Sequence, residues 1–159
     1  MRPTPSLGAR LWPLAILGLA IGAVRYALEF SRAEATMYFG VYYAMPLAFL
    51  VIGVGGLWGR IRWPALLGTV ALLCLIVWGI PNTVAYTTGQ FLEWHHGRFY
   101  YGGPDDPANR AAPVAASALS KIGWGALQGL LTAVAGTIWC TLWATALIWL
   151  PAKLRERSA

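Results

Sequence analysis

The sequence TTGQFLEWHHGRFYYGGPDDPANRAAPVAASALSKI, residues 87–122, is the only long polar interval in a chain that is otherwise strongly apolar. It contains both histidines of the protein, together with Glu93, Asp105 and Asp106. Its motif GGPDDP is typical of turns, because glycine adopts positive φ and proline fixes its own φ. The interval therefore predicts a long loop, residues 87–121, that separates three apolar segments from a fourth.

The composition is unusual for a protein that folds in water. The chain has 159 residues, of which 58% are hydrophobic and 11% are charged, whereas a soluble domain carries about 25% charged residues. Nine Trp and seven Tyr are also many for this length, and such side chains concentrate at membrane–water interfaces. The composition predicts one integral membrane domain, without a second domain of ordinary size.

Four apolar segments predict transmembrane helices, at residues 11–28, 37–58, 63–86 and 122–150. A helix rises about 1.5 Å per residue, so the first three segments are close in length to a hydrocarbon core about 30 Å thick. The fourth would reach about 43 Å and must tilt or project outward. We therefore expect an all-α integral membrane fold, a four-transmembrane-helix bundle with one long outer loop between helices 3 and 4.

Positive charge recurs at three places that share one side of this bundle: the N-terminus, the short turn between the second and third helices, and the C-terminus. The residues are Arg2, Arg10, Arg60, Arg62, Lys153, Arg155 and Arg157. The positive-inside rule predicts a multi-pass protein of the cell membrane with both termini in the cytoplasm. Because the cations lie at helix ends rather than along one face, we expect no nucleic-acid partner.

Beyond their first turns, the predicted helices contain two prolines. Pro46 lacks a backbone donor, so it should kink the second helix unless a neighbour bonds to the carbonyl that it frees. Pro81 interrupts the third apolar segment, and Asn82 follows it. We expect Asn82 to bond to freed backbone at a kinked helix end; the alternative is a polar residue that lines a cavity.

Glycines at a spacing of four predict faces where helices approach closely. Gly18 and Gly22 form one such pair, and Gly55 and Gly59 form a GxxxG motif. The last apolar segment has the longest series, which is Gly125, Gly129 and Ala133. These faces predict a protein partner or a homo-oligomer, in addition to the surrounding lipid bilayer.

Polar and reactive residues outside the loop also suggest contacts. Arg25, Glu29 and Arg32 share one helical face, which indicates an interfacial series of ion pairs or, alternatively, a contact with an anion or lipid headgroup. Cys74 and Cys140 each fall near the middle of a predicted helix. They could meet at the midplane, although their main role is expected to be core packing.

The strongest candidate for chemistry is the sequence Glu93-Trp94-His95-His96. Carboxylate and imidazole groups are ligands for zinc and other transition metals, and Asp105 could complete such a site. However, adjacent histidines on a helix diverge by about 100° and rarely bind one ion together. Glu93, His95, His96 and Asp105 are therefore weak metal candidates, and solvated histidines at the interface are favoured.

The sequence contains no nucleotide-binding, haem-attachment or nucleophile-elbow motif, and we expect neither a catalytic residue nor a bound cofactor. The leading hypothesis is a non-catalytic accessory, assembly or interaction subunit. One alternative is a small membrane enzyme or metal-dependent protein that uses the outer loop. Another is a subunit of an oligomeric transporter or channel, with Arg25, Asn82 and Gln128 near the path of the transported solute.

Overall fold

The computed structural model describes residues 5–30, 40–92 and 117–157, which are helical and contain no strand. Three of the helices are long and apolar enough to cross a membrane. We number the helices in chain order: α1 is Leu7–Phe30, α2 is Val41–Gly55, α3 is Trp63–Phe91 and α4 is Ala118–Glu156. The all-helical fold that the sequence predicts is confirmed for these parts of the chain.

Two five-residue π-helical segments interrupt the long helices, Leu75–Gly79 in α3 and Thr145–Trp149 in α4. Each is followed by one residue and then a proline, Pro81 in α3 and Pro151 in α4. A proline ring collides with the carbonyl four residues before it in an α-helix. The wider π turn changes the positions of these carbonyls, so both helices continue past their prolines.

The helix ends differ from the predicted ones. Helix α3 continues to Phe91 instead of ending at residue 86, whereas α2 ends at Gly55 rather than at residue 58. Helix α2 ends there because Gly56 adopts a left-handed conformation, with φ of 60°. Gly59, also left-handed with φ of 57°, belongs to the following turn. The predicted GxxxG contact of Gly55 and Gly59 is therefore wrong.

Close contacts of α1 with α3 show that these helices run in the same direction. A Cβ atom added to Gly18 would lie 2.6 Å from Val77 Cγ1, and one added to Gly22 would lie 3.6 Å from Pro81. Further along both helices, the Tyr26 hydroxyl donates a hydrogen bond of 3.2 Å to Thr88 Oγ1. The predicted small-residue face of α1 is confirmed, and α3 covers it.

Helix α4 runs antiparallel to α3 along its glycine face. A Cβ atom on Gly129 would lie 2.6 Å from the carbonyl oxygen of Gly79, and one on Gly136 would lie 2.7 Å from the Trp78 ring. A Cβ atom on Gly125 would likewise collide with Thr87. The face predicted on the last apolar segment is confirmed as a packing face, and within this chain its neighbour is α3.

Helices α2 and α4 run in the same direction. Tyr42 at the beginning of α2 contacts Trp139, and Gly53 at its end packs directly against the backbone of Leu147. Beyond that point, Arg155 Nη2 donates to the Gly53 carbonyl oxygen at 2.9 Å. The beginning of α1, the turn between α2 and α3, and the end of α4 thus lie at one end of the bundle, which we call the basic end.

The core is apolar and tightly filled toward the middle of the bundle. Its largest fully buried side chains are Phe49, Met45, Leu66, Leu73 and Val70. The outward-facing side chains along the helices are apolar as well. At the basic end, the exposed residues Arg60 and Glu156 form an ion pair of 2.7 Å. The described part of the protein is therefore apolar both inside and outside, with its charges at the helix ends.

Candidate binding cavity

A half-open cavity of about 390 Å³ lies between the four helices, in the half of the bundle opposite the basic end. Small residues create the space, because none of them fills the gap between the helix backbones. They are Gly22, Gly40, Ala85, Ala135 and Gly136. The cavity combines apolar walls with several polar groups, and we call it the outer cavity.

One wall of the outer cavity is the pair Tyr42 and Trp139. Their rings stack with centroids 4.3 Å apart and planes 10° from parallel. The Trp139 indole N–H also donates a hydrogen bond of 3.3 Å to the Tyr42 carbonyl oxygen. This carbonyl lies four residues before Pro46, so it lacks the backbone donor that an α-helix would provide. The sequence predicted a kink at Pro46 unless a neighbour bonds to the carbonyl that it frees, and Trp139 forms such a bond.

A second wall is formed by the π-helical part of α3 and the turn after it. Asn82 is buried, and its Nδ2 donates a hydrogen bond of 2.8 Å to the Trp78 carbonyl oxygen. Asn82 also lines the cavity, as do Pro81 and Tyr86. Asn82 therefore bonds to backbone beside a proline and lines a cavity. The predicted helix end at this position is wrong, because α3 continues to Phe91.

Arg25 of α1 is the only charged residue that lines the outer cavity within the parts of the chain that the structure describes. Its guanidinium packs against Gly40, where an added Cβ atom would lie 3.0 Å from Nη1. Tyr26, the next residue, also lines the cavity. Arg32 and the side chain of Glu29 lie outside the described residues, so the predicted series of ion pairs stays a prediction.

The outer cavity ends on a closed layer of core side chains. Val77 lines the cavity, and one turn before it α3 contains Cys74, which is fully buried. The thiols of Cys74 and Cys140 lie close together and form no disulfide. The two cysteines thus meet in the core, as the sequence suggested, and Met45 and Phe49 fill the neighbouring space.

The loop residues singled out in the sequence are Glu93, His95, His96 and Asp105, and all four lie outside the described residues. Their metal site stays a prediction. Among residues 5–30, 40–92 and 117–157, no group of three or more His, Cys, Asp or Glu side chains is placed to hold a metal ion.

Sequence reasoning found two of the cavity residues, Arg25 and Asn82, but not the aromatic ones. Nothing in the sequence neighbourhood of Trp139 connects it with Tyr42. The indirect signal was Pro46, since a proline inside a helix requires a donor from another helix. Gln128, the third residue that the transporter alternative put near a transport path, does not line the outer cavity.

Comparison of the chain with models of protein families, with curated proteins and with solved structures finds no match. The function is therefore argued from the geometry of the outer cavity and from the surface of the bundle.

Proposed function

We propose that the chain is an integral membrane protein with four spans and that both termini lie in the cytoplasm. The exterior of the described helices supports this proposal, since Ile16, Val54 and Leu142 are exposed by 64%, 77% and 65%. A large continuous apolar exterior is rare on a monomer in water, whereas lipid solvates it. The grouping of cations at the basic end supports the orientation.

Helix α2 fits this proposal although it is short. Its 15 residues reach about 22 Å, less than a hydrocarbon core of about 30 Å. The exposed rings of Tyr42, Tyr43 and Trp63 lie near its two ends, and such rings prefer the interface. Flanking aromatic residues and local thinning of the bilayer accommodate a short span at modest cost.

The orientation is tested with single cysteines. Leu119 and Leu57 are exposed at opposite ends of the bundle, by 80% and 49%. A membrane-impermeant maleimide should label Leu119→Cys in intact cells, and Leu57→Cys only after lysis. The native thiols of Cys74 and Cys140 are fully buried, which keeps the background low. Labelling in the reverse order would overturn the orientation.

Within the membrane, we propose a non-catalytic accessory role. The observation that carries this proposal is how polar side chains of the bundle are used: they bond to backbone carbonyls. Trp139 and Asn82 do so in the cavity, at Tyr42 and Trp78, and Thr69 does so in the core at the Ala65 carbonyl, 2.7 Å away. Trp139 and Asn82 bond to carbonyls close to Pro46 and Pro81, and this use favours a scaffold with a binding cavity over a reactive centre.

An accessory role requires a partner, and we place its contact at Gly68 of α3. Gly68 is exposed, and an added Cβ atom there would meet nothing within 4 Å. Small residues let a second helix approach closely in lipid. The protein mass of the particle extracted in native lipid should therefore exceed the 17.2 kDa of one chain. Gly68→Leu should reduce that mass without lowering the melting temperature, and a monomeric wild-type particle would contradict the proposal.

The enzyme alternative is separated from this proposal by metal analysis of the purified protein. Stoichiometric zinc or copper that is lost in the double variant His95→Gln, His96→Gln would favour a metal-dependent protein, since glutamine keeps polarity but loses most metal affinity. We expect no stoichiometric metal.

A further inference from the structure

The outer cavity has the chemistry of an amphiphile site, with charge at one level and apolar surface below it. Arg25 lies three residues before Leu28, the end of the apolar span of α1, which is about 4.5 Å along the helix axis. In the proposed membrane orientation, an arginine this close to the end of a span reaches the boundary between headgroups and hydrocarbon with its guanidinium. Deeper in the cavity the walls include Val77 and Trp78, which offer apolar contact.

The polar groups of the cavity suit an anion. Arginine is a preferred partner for phosphate, because its planar guanidinium donates two parallel hydrogen bonds and stays charged. Tyr26 and Thr132 line the same space, but their hydroxyls donate within the protein, to Thr88 Oγ1 and to the Gln128 carbonyl oxygen, so the group that the cavity offers to an anion is the guanidinium of Arg25. Within the described parts of the chain, the charged side chain that lines the cavity is that of Arg25.

The size of the cavity agrees with this chemistry. A volume of about 390 Å³ is within the range of about 300–1,000 Å³ that is typical of small-molecule sites. Hydrogen bonds within the protein also fix the backbone around the cavity without a ligand, because side chains donate to the Tyr42 and Trp78 carbonyl oxygens. A site that is formed before binding loses less conformational entropy when it binds.

We propose that the outer cavity binds the phosphate-bearing headgroup of an anionic lipid, with Arg25 as the residue that pairs with the phosphate. The proposal rests on the membrane location proposed above. The Tyr42 and Trp139 ring pair flanks the headgroup, and the apolar wall at Val77 contacts the glycerol and upper acyl region.

The test is native mass spectrometry of the full chain in detergent, titrated with phosphatidylglycerol or with phosphatidylcholine. We expect tighter binding of phosphatidylglycerol and about tenfold weaker binding in Arg25→Gln, because hydrogen bonds between charged partners are strong. Lys121→Gln is the matched control: its ammonium group, at the same end of the bundle, lies 5.4 Å from the Phe91 ring centroid and outside the cavity. This variant should bind as the wild type does.

A second variant keeps the test decisive if Arg25→Gln folds poorly. Ala135 is an exposed residue that lines the cavity, so Ala135→Leu fills the site without displacing packed side chains. It should weaken phosphatidylglycerol binding with Arg25 intact, whereas Val134→Leu, one residue away and outside the cavity, should not.

Equal affinities for the two lipids, or equal losses in Lys121→Gln and Arg25→Gln, would overturn the proposal. A titration with inorganic phosphate separates the two sources of the anion. Displacement of phosphatidylglycerol by millimolar phosphate would overturn the lipid assignment in favour of a free anion. A failed lipid test combined with the expected maleimide labelling would leave the membrane proposal standing, so the two failures are distinguishable.

Discussion

The Trp139 indole donates its N–H to the Tyr42 carbonyl oxygen at 3.3 Å, and the two rings stack with a centroid distance of 4.3 Å. The acceptor is the carbonyl that Pro46 leaves without a helical donor. A residue of α4 thus compensates for an irregularity in α2, and the bond links two helices that are far apart in sequence. In a medium without water this compensation is required, because an unsatisfied carbonyl costs free energy.

The first prediction is that Trp139→Phe destabilises the protein and that Pro46→Ala suppresses this effect. Phenylalanine keeps a ring beside Tyr42 but loses the donor, which should lower the free energy of unfolding by about 1 kcal/mol. An alanine at position 46 supplies a backbone N–H for the same carbonyl. Thermal melts of both single variants and of the double variant in detergent measure the coupling.

Trp143→Phe is the control for the lost ring area, since Trp143 contacts Trp139 edge-on at 5.6 Å. A loss of stability in Trp139→Phe that persists unchanged with Pro46→Ala would show that packing, not the hydrogen bond, is the cause.

The approximate positions of the four helices could be predicted from the sequence, because long apolar runs and their flanking aromatic residues are local signals. Their ends could not. Helix α2 ends at Gly55 because Gly56 adopts a left-handed conformation. The GxxxG spacing of Gly55 and Gly59 does not predict this conformation. Helix α3 passes Pro81 because Leu75–Gly79 adopts a π turn, which is a response of the backbone to the proline.

The outer cavity could be predicted only in fragments. Arg25 and Asn82 were recognisable because polar residues in apolar segments are costly and therefore informative. Their proximity depends on α1 and α3 running in parallel, which follows from contacts such as Gly18 with Val77. A small residue in sequence predicts close approach to some helix but does not identify which one.

The second prediction concerns the glycine face of α4. Gly129→Leu should lower the melting temperature strongly, because a Cβ atom there would lie 2.6 Å from the Gly79 carbonyl oxygen and overpacking costs about 1–3 kcal/mol. Gly123→Leu is the matched control, since nothing lies within 4 Å of an added Cβ atom at Gly123. The control should melt at or above the wild-type temperature, because leucine has the higher helix propensity. Equal melts of the two leucine variants would show that α3 does not cover this face.

The third prediction compares two arginines at the basic end. Arg155 donates to the Gly53 carbonyl at the end of α2 over 2.9 Å, and charged donors stabilise helix C-termini. Arg155→Gln should therefore cost about 1 kcal/mol. Arg60 instead pairs with Glu156 across an exposed surface, with exposures of 62% and 40%, so Arg60→Gln should change stability by less than about 0.5 kcal/mol. Chemical denaturation in mixed micelles measures both, and a larger loss for Arg60→Gln would contradict this ranking.

The fourth prediction concerns Cys74 and Cys140, whose thiols are both fully buried and contact each other. A thiol-reactive fluorescent dye should not label the folded protein, and its signal on heating should report the opening of the core between α3 and α4. The dye transition should coincide with the loss of near-ultraviolet circular dichroism, because one tightly packed core unfolds cooperatively. Gly129→Leu should move both transitions down together, since Gly129 belongs to the same interface. Rapid labelling at room temperature would mean that the two helices separate locally without global unfolding, and that the cysteines lie in a dynamic seam rather than a closed core.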